Sequence, residues 1–303
     1  MTIRHRLTRF LFRRYRALRK YFSTRPPDAF SRLFYWVRSR MQSLISARNR
    51  GSSPAEDRIW KAVYFHRFGI DPLFSLDTRN PIAAGSADHQ WPRGTASDYS
   101  RNRNFNLKLY HYLNYRPDLR VLDLGCAGGA FVKSVLEDGY TAIGIDGSDF
   151  SRKLRSGAWD TCPHHLLTCD ITAEFQLRDS AGNPMQFQCI TAWEVLEHIP
   201  AETLPGLLGN IARHLSPDGI FVASVDTVAD ADPTIGAIYH VTLQPRRWWL
   251  EQFAKFGLVE CDNHPFTTRD YVRGHGMGFE DWDPGDGEGF HVVLTGPDSL
   301  SRH

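Results

Sequence analysis

The sequence is poor in features that would place it outside ordinary soluble globular proteins. Its five cysteines (Cys126, Cys162, Cys169, Cys189 and Cys261) are odd in number and show no CxxC spacing. A disulfide framework is therefore not expected, and free thiols in a reducing, cytoplasmic setting are. No apolar run approaches the ~18 residues that a transmembrane helix needs. Arg13-Arg14 lacks the apolar segment that follows a twin-arginine start, so export is not expected either. Internal repeats and low-complexity tracts are missing. The acidic run Glu280-Asp281-Trp282-Asp283-Pro284-Gly285-Asp286 lacks EF-hand spacing and reads as a solvated loop.

Acid is also scarce in one place. Residues 1–50 carry fourteen of the 36 Lys and Arg but one of the 34 acids, Asp28. The formal net charge of +2 thus divides into a strongly basic arm and an acidic remainder, the asymmetry of an interaction tail. The arm reads as two amphipathic helices separated by Pro26-Pro27. One apolar stripe runs Leu7, Leu11, Tyr15, Leu18, Phe22; the other runs Phe30, Leu33, Phe34, Val37, Met41, Leu44. An anionic membrane surface is the first candidate partner for such helices. The acidic body or a partner subunit, nucleic acid and organelle targeting follow in that order. Oligomeric state is not legible.

Beyond a Gly51-Ser-Ser-Pro54 linker, residues 56–100 are aromatic but irregular and suggest a lid, followed by a short helix over 105–113. This divides the chain into a 1–50 arm, a 51–115 lid and linker, and a 116–303 main domain. In the last, strands are expected at 120–124, 141–146, 165–169, 187–192, 219–224, 257–262 and 290–295, with helices between most of them. That alternation is the pattern of an α/β fold with a mostly parallel sheet covered on both faces.

Val121-Leu-Asp-Leu-Gly-Cys-Ala-Gly-Gly129 delivers a buried strand to a glycine turn that opens a helix. A dinucleotide GxGxxG would need glycine where Ala127 and Ala130 stand, which argues against a dehydrogenase. Two further strands end in acids, Asp146 and Asp170, on the same carboxyl edge, where open α/β sheets bind ligands. VLDLGCAGG, GID and CDI together resemble the S-adenosylmethionine (SAM) binding series of class I SAM-dependent methyltransferases. The resemblance implies a Rossmann-like seven-stranded sheet with its last strand antiparallel. It also implies that Asp123, Gly125, Cys126, Ala127, Gly128 and Gly129 cradle the methionine part of SAM. Asp146 would then take the ribose, Asp170 and Ile171 the adenine, and Trp193 would stand beside the cofactor.

The fourth strand runs into Trp193-Glu-Val-Leu-Glu-His198. Its Glu-x-x-Glu-His pattern is similar to that of ubiquinone-biosynthesis O-methyltransferases. Small-RNA 2′-O-methyltransferases carry the same pattern with a downstream histidine and bind a divalent metal with the four side chains. Here those residues are Glu194, Glu197, His198 and His240, and Mg²⁺, Mn²⁺ or Zn²⁺ would suit them. Two plainer readings stay open: acids at a helix start, or a histidine that acts as base or lines the pocket without metal. His198 and Glu197 are the catalytic candidates. His275, between Gly274 and Gly276, is a further residue able to reach a substrate, though nothing in the sequence shows that it does.

The resulting expectation is O-methylation of a hydroxyl on a glycan, lipid-linked sugar or small metabolite, carried out in the cytoplasm or at a membrane surface. An RNA methyltransferase gripping phosphates through the arm and a non-catalytic SAM-binding scaffold are the alternatives.

Overall fold

The computed structural model describes residues 54–69, 72–272 and 288–296. The basic arm, His275 and the acidic run 280–286 lie outside the described residues. In chain order the elements are α1 (Pro54–Phe68), β1 (Phe74–Thr78), α2 (Ala87–Gln90), α3 (Arg93–Ser97), α4 (Arg103–Tyr112), β2 (Arg120–Leu124), α5 (Ala130–Glu137) and β3 (Thr141–Asp146). There follow α6 (Phe150–Leu154), α7 (Ala158–Thr161), β4 (Leu166–Thr168), β5 (Phe175–Asp179), β6 (Phe187–Trp193) and α8 (Leu204–His214). The last are β7 (Leu215–Asp226), β8 (Ala231–Asp232), β9 (Ala237–Ile238), α9 (Arg246–Ala254), β10 (Val259–Glu260) and β11 (Gly289–Thr295).

Seven strands form one sheet in the order β10-β11-β7-β6-β2-β3-β4. The five from β7 to β4 are parallel, while β11 runs antiparallel to β7 and β10 antiparallel to β11. From β2 the chain builds outward through β3 to β4, then returns to place β6 on the other side of β2. The loops leaving β2 and β6 diverge there and open a crevice at the carboxyl edge.

Central strands buried on both faces are mostly apolar: all seven residues of β6 are buried, and its two polar ones, Gln188 and Thr191, are hydrogen-bonded to β2. The two-residue alternation still sorts side chains between layers. Leu122, Ile143, Ile190 and Phe221 face one layer with Leu204, Leu207, Leu208, Ile211 and Trp249. Val121, Ala142, Cys189 and Val222 face the other with Phe105, Leu109, Phe131 and Val135. The α8 residues recur at i, i+3, i+4 and i+7, the spacing of a single buried helical stripe.

The seven expected strands are present, with shifted ends. The expected 257–262 strand is shorter, Val259–Glu260, with the Cys261 N–H donating to the Val293 carbonyl of β11 just beyond it. The 219–224 strand begins at Leu215, where the ladder to β6 shifts register around the Pro217-Asp-Gly219 turn. Residues 56–100 are more regular than expected. Trp60, Tyr64 and Phe68 lie at four-residue spacing on the fifteen-residue α1, with Tyr64 fully buried against His165. In addition β1 pairs antiparallel with β5 in a separate two-stranded sheet. All five cysteines are free, four of them buried. No helix among the described residues is long and apolar enough to cross a membrane.

Phe105 is fully buried, with its ring 5.1 Å from Trp193 and 5.7 Å from Phe131, and so ties α4 to the centre of the sheet. Phe105→Ala should lower unfolding free energy by about 3–5 kcal/mol. Urea denaturation followed by tryptophan fluorescence would measure this, and a loss below ~1 kcal/mol would contradict the anchoring role.

Candidate functional site

The crevice between β2 and β6 opens into a cavity of about 990 Å³ lined by Gly125, Ala127, Asp146, Asp170, Ile171, Trp193, Glu194 and His198, among others. That is at the upper end of small-molecule sites and gives room for a cofactor and an acceptor together.

The glycine turn is shaped by backbone that side chains would obstruct. Gly125 has φ +73°, and a Cβ there would fall 2.3 Å from Val195 Cγ2. At Gly128 a Cβ would fall 2.5 Å from the Asp98 carbonyl oxygen, which accepts the Gly128 N–H at 3.1 Å. Ala127, with φ +45°, donates its N–H to Asp146 Oδ2 at 2.8 Å. Ser148 N–H donates to Asp146 Oδ1 at the same distance. Asp146 is buried, which pushes its carboxyl up to about 6 against the lowering effect of these two amides. Each carboxylate oxygen keeps a second lone pair for a donor in the cavity.

The other predicted cofactor residues divide. Asp170 Oδ1 accepts from the Thr172 N–H and hydroxyl, closing the turn after β4, and Ile171 lies beside it on the cavity wall. The indole N–H of Trp193 is buried with no partner among the described residues. Asp123, Cys126, Gly128 and Gly129 do not line the cavity. Asp123 accepts the Thr191 hydroxyl at 2.7 Å between β2 and β6, and Cys126 is buried. These four shape the turn from beneath.

Across the cavity the candidate acid and imidazole groups gather. Glu197, His198 and His240 each present a donor atom within 4.8 Å of the others. The 240 loop is held there because the Glu197 carbonyl accepts the N–H of both Val241 and Thr242. His240 Nδ1 donates to the Val228 carbonyl at 2.6 Å, and His198 Nδ1 donates to Asp88 Oδ2 at 2.7 Å. Both rings therefore keep Nε2 as the nitrogen available to a ligand or proton. Glu197 is fully buried. Its Oε1 accepts the Asp226 N–H, and its Oε2 has no partner among the described residues. Burial first, and the Glu194 carboxylate second, push Glu197 well above the usual carboxylate range. Burial also raises Asp226. Glu194 lines the same cavity but stands outside the three-residue cluster. Its backbone is left-handed at φ +54°, and its N–H is held by Ser224 Oγ at 3.0 Å.

Several cavity residues were not anticipated: Asp88, Arg93, Asp98, Asp226, Asp230 and Tyr239. Arg93 pairs with Asp230 and lies over the Tyr239 ring, 4.4 Å from its centroid, joining α3 to the loop beyond β7. The only local cue to Asp88 is the Ser86-Ala-Asp88 start of α2, where Ser86 Oγ caps the Asp88 N–H.

A seven-stranded sheet with an antiparallel end, carrying this cavity at its switch point, is the architecture of class I SAM-dependent methyltransferases. A family model described as "Methyltransferase domain" matches residues 87–273, more than half of the chain, and the chain belongs to that family. Among curated relatives, the ubiquinone biosynthesis O-methyltransferase of Thiobacillus denitrificans is 28% identical over 144 residues, 45% of this chain and 57% of that one. The protein of that name from Pseudomonas fluorescens SBW25 is 27% identical over 182 residues, 56% of this chain and 72% of that one. The chain thus spans little more than half the length of the Thiobacillus relative. Among solved structures, a TehB-like SAM-dependent methyltransferase from Corynebacterium glutamicum has a TM-score of 0.42 at 17% identity, covering 68% of this chain and 94% of that one. The CcbJ methyltransferase from Streptomyces caelestis has a TM-score of 0.45 at 13% identity, covering 72% and 97%.

If Asp146 accepts ribose hydroxyls, its charged form is the binding form. SAM affinity should then be constant above the Asp146 value of about 6. Below it, affinity should weaken by up to about tenfold per pH unit as the carboxylate protonates. Titration calorimetry at pH 5 to 8 would show this, and Asp146→Ala should abolish the dependence along with most of the affinity.

Proposed function

We propose that the protein transfers the methyl group of SAM to a hydroxyl oxygen of a small-molecule or glycan acceptor, lipid-linked sugars included. The observation that carries this reading is His198, whose ring lines the cavity with Nδ1 already committed to Asp88. SAM supplies an electrophilic methyl on a sulfonium: the acceptor oxygen forms the new C–O bond while the C–S bond breaks and its electron pair stays on sulfur. A hydroxyl must lose its proton in that exchange, and in this reading His198 Nε2 takes it. The edge loops hold the reactants in line and limit water, the source of most rate gain in such a displacement. The curated relatives' name, O-methyltransferase, agrees with a hydroxyl acceptor.

The cavity's charge points away from polyanionic acceptors. Asp88, Asp98, Asp146, Asp170, Glu194, Asp226 and Asp230 line it, against Arg93, which pairs with Asp230. A phosphate backbone would be repelled there, whereas cationic SAM and a neutral polyol would not.

The same cluster fits a divalent cation. Glu197 Oε2 is buried without a partner among the described residues, each of two imidazoles presents a ring nitrogen within 4.8 Å of a Glu197 carboxylate oxygen, and the crowded carboxylates are raised in a way a cation would relieve. Mg²⁺, Mn²⁺ or Zn²⁺ held by Glu197, His198 and His240, with Glu194 nearby, would act as a Lewis acid toward a hydroxyl.

Incubating the protein with methyl-labelled SAM and an extract of its source cells should label the lipid-glycan or small-metabolite fraction. His198→Ala should cut the rate by about 10²–10⁴ while SAM binding persists. Label entering RNA, or full activity in His198→Ala, would overturn this reading. Loss of activity on chelation, restored by one of the three metals, would support the metal site. Activity indifferent to chelation would leave His198 as the base.

A further inference from the structure

Residues 80–98 cross the carboxyl edge of the sheet and touch the loop after each of its five parallel strands. The Asn80 carbonyl accepts the Asp170 N–H after β4, and Ala83 N–H donates to the Gly147 carbonyl after β3. Asp88 meets His198 after β6, Arg93 meets Asp230 after β7, and the Asp98 carbonyl accepts the Gly128 N–H after β2. The segment is a strap over the cavity, and one of its contacts falls on the group assigned to proton transfer.

We infer that Asp88 is a positioning residue. Supplied by the strap and not by the Glu-x-x-Glu-His segment, it holds His198 as the Nδ1–H tautomer with Nε2 turned to the acceptor. The inference rests on the reading of His198 given above. Two further features support it. The Ser86 cap fixes the start of α2 at 3.1 Å from the Asp88 N–H, so the carboxylate sits on an ordered turn. The His198 ring also packs against His240, centroids 4.8 Å apart and planes at 72°, so the ring has a second contact besides Asp88. A carboxylate at Nδ1 fixes which ring nitrogen carries the hydrogen, whether the other takes a proton or binds a metal.

Asp88→Asn keeps the size of the side chain but removes its charge and its fixed acceptor role. It should lower kcat by about 10–100-fold, typical for loss of a carboxylate behind a working histidine, and leave KM for SAM unchanged. Added to His198→Ala it should cost nothing more, because both act through one ring. ¹⁵N spectra of the His198 ring should show a single Nδ1–H tautomer in the parent protein and a mixture in Asp88→Asn. Asp88→Glu should recover part of the lost rate. Arg93→Gln serves as the strap control: it should raise KM for SAM without changing the tautomer.

Unchanged kcat and tautomer in Asp88→Asn, with His198→Ala inactive, would overturn the inference and leave the His198 reading standing. An equal loss in both backgrounds would place Asp88 in some other role. Full activity in His198→Ala would overturn the catalytic reading itself, with the ring spectra still reporting whether Asp88 sets the tautomer. If Arg93→Gln reproduced both the kcat loss and the tautomer change, Asp88 would be only one stitch in the strap.

Discussion

The cofactor edge depends on one buried carboxylate. Asp146 joins the turn after β2 to the turn after β3 by accepting the N–H of Ala127 and of Ser148. Without it, the left-handed backbone at Ala127 would lose the acceptor of its N–H. The cost is visible in its carboxyl, pushed up to about 6 by burial. For an acid raised in the folded state, that cost is full above pH 6 and is relieved as pH falls toward the ordinary aspartate value. A bound ligand that donates hydrogen bonds to the charged form would offset it, which is the expected bargain at a binding site.

The opposite wall shows the same economy with more groups. Glu194, Glu197 and Asp226 crowd near two imidazoles, and burial raises two of the three acids. Such a cluster is tolerable where some positive charge is expected: the sulfonium of SAM, an imidazolium formed in turnover, or a divalent ion. Base catalysis and metal binding, the two proposed chemistries, would both run through the same atoms. For that reason the orientation of His198 matters in either chemistry, and a residue that fixes it acts on both.

Much of the sheet was readable along the chain because buried parallel strands are mostly apolar and must alternate with amphipathic helices. The cues for Asp146 and Asp170 were also local, since each ends its strand within a residue or two of the sheet's edge. The region before the glycine turn was misread as irregular. Trp60, Tyr64 and Phe68 do keep helical spacing, but Arg58, Lys61, His66 and Arg67 interrupt the stripe, and α1 buries its aromatic face only against His165 and its neighbours. The β1–β5 pair had no local signature at all, because about a hundred residues separate its strands.

The sequence by itself determined the class of fold, the glycine turn and the acids at the strand ends, since each follows from backbone geometry over a few residues. It also set Glu197 and His198 side by side. Only the tertiary structure brought His240 to them, through a loop hung on the Glu197 carbonyl, and left Glu194 outside the cluster. Only it laid residues 80–98 over five strand ends and set Asp88 against a histidine 110 positions away. Contacts at that range depend on which loops the sheet order makes neighbours, and no local periodicity carries that information.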